Sequence, residues 1–364
     1  MLKVMTIVGT RPEIIRLSLI IPLLDRYCEH KVVFTGQNYD KCLSNIFFEE
    51  LQIRQPDYSL DSKADTAIQQ IGNILSSCEK IILQENPDRL LLLGDTNSAL
   101  TAIIAKRFGI PVFHMEAGNR CYDDRVPEEI NRRIIDHTSD ILLPYTLQSK
   151  INLLREGINS KNIYVIGNPI HEVLNFYQKS ILDSNILHIL NIKQGEYFLV
   201  SLHRAENVDI NERLVKFITA LHRLSKDYSI PVICSTHPRT KYQIEKQGIV
   251  YNSNHEQSDV RMLEPLGLFD FVHLEQHAKC VLTDSGTVQE ECCLFNVPNV
   301  TLRDVTERPE TLESGSNIIS GAEIDNILNS VKIALDLNTE WKIPEEYKKN
   351  NVSQTVVKIV LGTY

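Results

Sequence analysis

The chain has 364 residues, of which 38 are Lys or Arg and 47 are Asp or Glu, giving a formal charge of −9. That length suits two domains rather than one core. The excess of acid argues against a general nucleic-acid binder and against docking on anionic membranes, both of which need a basic footprint. A hydrophobic share of 43% and a charged share of 23% describe an ordinary folded chain, so an anionic ligand must be met by a local cluster of cations.

In chain order, the first half alternates strand and helix patterns. Residues 3–9 (KVMTIVG) predict a strand ending in glycine, and 12–27 predict one helix with Pro12 in its first turn, where a missing N–H costs nothing. Strands follow at 31–36, 88–95 (with four consecutive leucines) and 110–118, and helices at 67–85 and 98–108. The second half repeats the rhythm, with strands at 196–204, 230–238, 278–286 and 297–304 and helices at 211–226 and 288–294. Gly167 and Pro169 punctuate a further strand pattern at 164–170, which marks the boundary and a candidate hinge; a short apolar-periodic helix closes the chain at 352–361.

Continuous apolar strands in this rhythm predict parallel sheets covered on both faces. The expectation is an α/β protein of two Rossmann-like, doubly wound domains. One spans 1–168, with a C-terminal helix at about 350–364 packing back on it, and the other spans 169–349. No short-period repeat and no low-complexity tract occur.

The eight cysteines include no CxxC pair and no Cys/His group at zinc spacing, so neither a metal site nor a disulfide framework is expected. Scattered thiols suggest a reducing compartment. The chain opens on a strand pattern rather than a secretory signal, and no apolar run is long enough for a membrane span. A cytoplasmic location is the expectation, and without a signal the Asn351-Val352-Ser353 sequon carries no weight.

Ligands of doubly wound sheets bind beyond the carboxyl ends of the strands, so the polar residues just after each strand are the place to search. In the first half these are Gly9-Thr10-Arg11-Pro12-Glu13 with Arg16, then Gly94-Asp95-Thr96, His114-Met115-Glu116-Ala117-Gly118, and the run from Pro127 to Arg132. In the second half they are His203-Arg204-Ala205-Glu206-Asn207, Thr236-His237-Pro238-Arg239, Asp284-Ser285-Gly286-Thr287, Arg303-Asp304 and Glu307-Arg308-Pro309-Glu310.

Small residues at a strand-to-helix turn, as in DSGTVQEE from Asp284, expose backbone N–H groups at a helix N-terminus and suit a phosphate. A carboxylate one turn into that helix, Glu290 or Glu291, could accept hydrogen bonds from ribose hydroxyls. The same residues also suit a plain capped helix. No GxGxxG occurs at either first turn, which disfavours a dinucleotide.

Asp95, Glu116 and Glu128 are three carboxylates at or just beyond strand ends. Each alone reads as a cap or a solvated loop acid, but three facing several cations can divide acid and base roles. Among the histidines, His114, His137, His171, His222 and His273 read as structural, whereas His203 and His237 end strands and are the better ligand candidates.

These motifs, in order, resemble those of the non-hydrolysing UDP-N-acetylglucosamine 2-epimerase family: GTRPE at Gly9, TGQ at Thr35, GDT at Gly94, HMEAG at His114, PEEINR at Pro127, HR at His203, DSG-x-x-QEE at Asp284 and RDVTERPE at Arg303. The resemblance covers essentially the whole chain and implies the glycosyltransferase-B architecture, a homodimer and no cofactor. Within the family the chain is most similar to the UDP-N-acetyl-L-fucosamine synthase branch, through GTRPEIIRLS, TGQNYD, HMEAGNRC, SLHR-x-ENVD and VICSTHPRT. Members of that branch epimerise C2 of UDP-2-acetamido-2,6-dideoxy-L-talose in making a precursor of capsule or O-antigen. Arg16 stands where the glucosamine enzymes have lysine, and Asn38 follows TGQ where they usually have histidine, near their allosteric site. The loop between the acidic motifs is also shorter, with 12 positions from Glu116 to Glu128, so allosteric activation is not carried over.

Carried over by motif position, the resemblance makes Asp95, Glu116 and Glu128 the acid/base carboxylates, and makes Arg132 and His203 the groups that handle the departing diphosphate. Arg11 and Arg16 would face the sugar and phosphates, Ser285 and Gly286 form the phosphate turn, and Glu291 holds the ribose. Phe271 would lie next to the uracil, and Arg308 would contact phosphate or an acidic partner. Both halves would then serve one site that takes a UDP-sugar and releases UDP transiently, a cationic pocket in an acidic protein. Four other readings use the same residues: a UDP-N-acetylglucosamine/UDP-N-acetylmannosamine 2-epimerase, a retaining glycosyltransferase of the same architecture, a hydrolysing 2-epimerase, and a catalytically idle nucleotide-sugar-binding protein.

Overall fold

A computed structural model describes residues 1–37, 47–248, 259–337 and 340–362. Asn38, with the Tyr39 and Asp40 that complete TGQNYD, lies outside the described residues. The chain divides into two units, Met1–Asn175 with Glu345–Tyr364, and Phe176–Pro344.

In the first unit, strands β1 (Lys3–Val8), β2 (Glu29–Phe34), β3 (Tyr58–Ser59), β4 (Arg89–Leu93), β5 (Val112–Met115) and β6 (Ile141–Leu143) form one sheet in the order β3-β2-β1-β4-β5-β6. In the second unit, β7 (Phe198–Leu202), β8 (Val232–Thr236), β9 (Val260–Leu263), β10 (Cys280–Thr283), β11 (Asn299–Thr301) and β12 (Asn317–Ile319) form another in the order β12-β11-β10-β7-β8-β9. Every strand pairing is parallel. Both orders are the doubly wound 3-2-1-4-5-6 pattern, so each sheet reverses direction once, between β1 and β4 and between β7 and β10. Ligands bind at such switch points because the helices leave to opposite faces there and open a crevice.

Alternation along the strands explains both covered faces. In β7, Phe198, Val200 and Leu202 enter one core with Phe217, Leu221 and Leu224 of the helix Asn211–Tyr228 and Val331 of the helix Ile324–Asp336. Leu199 turns to the other face, where it joins Ile233, Val281 and Leu274. In the first unit Met5, Ile7, Leu90 and Leu92 pack with Ile74, Cys78 and Ile82 of the helix Ala67–Glu85.

Several elements differ from the expectation. The single helix at 12–27 is two helices, Arg11–Leu17 and Ile20–Tyr27. Pro22 has no N–H to offer a continuous helix, and the break places it in a first turn, where none is needed. The segment 98–108 starts as a 3-10 turn, Asn97–Thr101, and becomes α-helical at Ala102–Arg107. The segment 164–170 forms no strand; only Ile163 bridges to Leu142 of β6. Gly167 there has φ of 90°, and a Cβ on it would meet the Lys349 side chain at 2.6 Å, so the residue lets the returning C-terminal segment pass close by. The closing helix Val352–Leu361 packs on Ile20–Tyr27 in the same unit. Among the described residues no helix is long and apolar enough to cross a membrane.

Candidate active site

At the switch point of the first sheet, the turns after β1, β4 and β5 meet the helix Pro127–Thr138. The β1 turn is built on close approach. A Cβ at Gly9 would run into Ser98 Oγ and would sit 2.5 Å from Thr35 Oγ1, so only glycine lets the backbone lie there. Glu13 closes this turn. Its Oε2 accepts the N–H groups of Gly9 at 3.0 Å and Thr10 at 2.7 Å and the Thr10 hydroxyl at 2.7 Å, while Oε1 accepts the Thr96 hydroxyl at 3.2 Å. Burial pushes its carboxyl up to about 7, against the pull of those donors. The sequence motif points to Arg11 and passes over this buried acid; its signal was the capping position, three residues after Thr10.

Two guanidiniums hold two of the expected acid/base carboxylates. Arg16, 3% exposed, lies 3.4 Å from Glu116 Oε2 and packs over the Tyr145 ring at 6.0 Å. Asn119 Nδ2 donates to the other Glu116 oxygen at 3.2 Å. Glu116 has φ of 65°, a left-handed backbone at the strand end, for a non-glycine residue at a buried position. Arg132 reaches Asp95 through Nε at 2.9 Å and Nη2 at 2.6 Å and holds Glu129 through Nη1 at 2.7 Å.

Glu129, fully buried, also accepts the N–H groups of Cys121 at 3.0 Å and Tyr122 at 3.1 Å. Burial pushes its carboxyl up, but those N–H groups and Arg132 outweigh it and hold it below the usual range. Glu129 therefore orients Arg132, a role the PEEINR motif contained but sequence reasoning did not assign. Glu128 stands half-buried beside it in the first helical turn. Arg11 is exposed, with its guanidinium 5.3 Å from the Phe47 ring centre.

The second switch point is organised by Asp284. It is fully buried and accepts the N–H groups of His203 at 3.0 Å and Arg204 at 2.9 Å and the Asn207 amide at 3.1 Å. The His203 ring stands against it, Nδ1 to Oδ1 at 3.0 Å, leaving 37% of that side chain exposed. Burial pushes the Asp284 carboxyl up, but the His203 charge and these donors hold it well below the usual carboxylate range. Asp284 thus ties the β7 end to the β10 end and aims His203.

Ser285 is the N-cap of the helix Gly286–Phe295. A Cβ at Gly286 would meet Glu307 Oε1 at 2.7 Å and the Arg308 guanidinium carbon at 3.4 Å. Arg308 is buried and bound to Glu290, with Glu307 at 3.9 Å. Glu291 is 4% exposed in the same helix, and the buried Glu275 beside it carries a carboxyl pushed well up by burial and then by the Glu291 charge. Phe271 is half-buried and packs against the core under the helix Leu268–His277. His237 caps its own helix, its Nδ1 accepting the Arg239 N–H at 3.2 Å, with its ring 5.9 Å from that of His203.

Six of the cations expected to form a positive pocket carry carboxylate partners within their own units. Arg16 pairs with Glu116, Arg132 with Asp95 and Glu129, His203 with Asp284, Arg239 with Asp209, Arg303 with Glu307, and Arg308 with Glu290. Buried guanidiniums need such partners to offset desolvation. The strand ends therefore present positioned, largely balanced charge rather than a net positive field.

Chemically, the first unit can give and take protons at carboxylates fixed by cations, and the second offers a helix N-terminus with a histidine and buried acids nearby. A UDP-N-acetylglucosamine 2-epimerase of Methanococcus maripaludis is 39% identical over 100% of this chain and 99% of its own length. A UDP-2,3-diacetamido-2,3-dideoxy-D-glucuronate 2-epimerase of Pseudomonas aeruginosa is 37% identical, covering 92% of each chain. The crystal structure of Methanocaldococcus jannaschii UDP-GlcNAc 2-epimerase with UDP-GlcNAc and UDP superposes with a TM-score of 0.93 at 39% identity, covering 98% of this chain and 99% of that one. The two doubly wound units are those of the glycosyltransferase-B-like fold such epimerases share. The family model for UDP-N-acetylglucosamine 2-epimerase matches residues 24–361, and the chain belongs to that family of UDP-sugar 2-epimerases.

Proposed function

We propose that the chain interconverts UDP-2-acetamido sugars epimeric at C2 by eliminating and re-adding UDP. The observation that carries this reading is the pairing of Asp95 with Arg132 and of Glu116 with Arg16 at one switch point. The C2 proton is not next to a carbonyl, so its direct removal leaves an unstabilised carbanion. Loss of UDP across C1–C2 avoids this and gives a 2-acetamidoglycal. Protonation at C2 from the opposite face, with return of UDP to C1, inverts the centre. The route needs a base on one face, an acid on the other and cations for the leaving diphosphate. Asp95, Glu116 and Glu128 supply the first two, and Arg132 and His203 assist the diphosphate. The N–H groups from Ser285 and Gly286 hold phosphate, Glu291 accepts the ribose hydroxyls, Phe271 flanks the uracil, and Arg11 and Arg308 complete the anion contacts.

The relatives favour UDP-N-acetylglucosamine and UDP-N-acetylmannosamine as the sugar pair. A second reading, conversion of UDP-2-acetamido-2,6-dideoxy-L-talose to UDP-N-acetyl-L-fucosamine for capsule or O-antigen, is supported by the resemblance that puts Arg16, here paired with Glu116, where the glucosamine enzymes have lysine. One experiment addresses both readings: incubate each nucleotide sugar in deuterated water and read the product by NMR. Deuterium at C2 of an epimerised product is expected for one pair, and epimerisation without C2 label refutes elimination. We also propose a cytoplasmic homodimer, with Leu147, Ile151 and Leu154 forming an exposed stripe on the helix Leu147–Arg155; sedimentation showing a monomer at micromolar concentration refutes the dimer.

A further inference from the structure

A cluster of charge in the first unit is not used by this mechanism: the buried His114, Asp136 and Arg120 with the half-buried Glu156. His114 is 1% exposed, with Nδ1 2.8 Å from Asp136 Oδ1 and Nε2 2.8 Å from the Gly94 carbonyl oxygen. A carbonyl oxygen only accepts, so Nε2 carries hydrogen. Asp136 also receives the Gly118 N–H at 3.1 Å and the Arg120 guanidinium at 2.8 Å. Burial pushes its carboxyl up, but the hydrogen bond and charge of His114 and those of Arg120 outweigh burial and hold it below the usual range. The buried Arg120 guanidinium paired with Asp136 keeps it a carboxylate, which accepts from Nδ1 as well. Both ring nitrogens donate, which a neutral imidazole cannot do.

The surrounding charge balances. Arg120 binds Glu156 at 2.6 Å, and the exposed His137 lies 3.6 Å beyond that carboxylate. On the other side, Gly94 leads to Asp95, and the Glu116–Arg16 pair follows β5. Two cations against two carboxylates, each hydrogen-bonded, is the condition under which buried charge is tolerated.

We propose that His114 is a positioning residue, a doubly protonated clamp between the Gly94 carbonyl and Asp136. It locks together the three elements that carry Asp95, Glu116 and Arg132. Gly94 ends the β4 turn, His114 belongs to β5, and Asp136 lies in the helix Pro127–Thr138, so one ring fixes the mutual placement of all three side chains. A small slip between such groups costs large factors in rate.

The rate part of the test rests on the epimerase reading, whereas the protonation part does not. NMR of histidine-labelled wild-type protein should show protons on both His114 nitrogens; a single ring N–H overturns the clamp. His114→Gln keeps a donor where Nε2 lies, and His114→Asn keeps one where Nδ1 lies. We expect kcat to fall roughly 100-fold in the Asn variant and about 10-fold or less in the Gln variant, with KM within about 3-fold. Equal, near-normal kcat per folded molecule in both refutes positioning. Asp136→Asn preserves shape but removes the charge that holds the second proton, and its His114 ring should show a single N–H. Two ring protons in that variant overturn the proposal, as does a wild-type ring with one proton even where no variant folds.

Discussion

Glu13→Gln tests whether a buried acid sets how the first unit responds to pH. Glu13 is 1% exposed, and its carboxyl stands at about 7 rather than its ordinary 4.5 because burial outweighs its donors. The folded protein therefore binds this proton more tightly than the unfolded chain does. Folding takes up a proton between pH 4.5 and about 7, so stability from this group is full below that window and falls as pH rises through it. The shift corresponds to about 3 kcal/mol between the two ends. The Gln variant keeps the geometry: its carbonyl can accept from Gly9, Thr10 and the Thr10 hydroxyl, and its amide can donate to the Thr96 hydroxyl. Hydrogen exchange of β1 peptides across a guanidinium series, at pH steps from about 4.5 to 8, follows the unit that contains Glu13. Wild type should lose about 3 kcal/mol relative to the variant across that range. Parallel stability curves for the two proteins would refute the buried-acid argument.

Glu116→Gln should lower kcat by roughly 10² to 10⁴ with C2 exchange lost and the circular dichroism unchanged; turnover within about 3-fold of wild type removes it from the acid/base set. Gly286→Ala places a methyl against Glu307 and Arg308, and should weaken UDP binding by about 10-fold or more in calorimetry with little change in melting temperature. Glu275→Gln removes a carboxyl whose proton burial holds far above 4.5. Wild type loses this group's stability as pH rises above 4.5, so the variant should gain on wild type between about pH 5 and pH 8 in thermal unfolding.

The parallel sheets were legible because their strands are apolar throughout, and the strand ends because small or charged residues interrupt those runs. Short strands were not legible. β3 is Tyr58–Ser59 and β12 is Asn317–Ile319, too few residues to show a period, and they form because a neighbouring strand offers its edge. Asp95, Glu116, Arg132, His203 and Asp284 could be placed at the right ends from sequence, but their partners could not. The link from Arg16 to Glu116 spans 100 residues and that from His203 to Asp284 spans 81, and only the sheet order brings such positions together. His114 read as structural, and it does sit in the core. What sequence could not show is that both its nitrogens meet acceptors.

The strand-end arginines of this acidic chain share one constraint. A guanidinium at 2–5% exposure, as at Arg16, Arg132, Arg303 and Arg308, is affordable only beside a carboxylate. Each buried cation thus brings an acid with it. At Asp95 and Glu116 those acids are the candidate proton carriers; at Glu129, Glu290 and Glu307 they fix the angle of an arginine. Replacing one of these carboxylates therefore also frees a buried guanidinium. Asp95→Ala should cost stability as well as rate, because Arg132 would lose the carboxylate that meets its Nε and Nη2, whereas Asp95→Asn keeps an oxygen for Arg132 and should cost mainly rate. Calorimetry and turnover on the pair separate the two roles, and equal melting temperatures in both variants would contradict the coupling of Asp95 to Arg132.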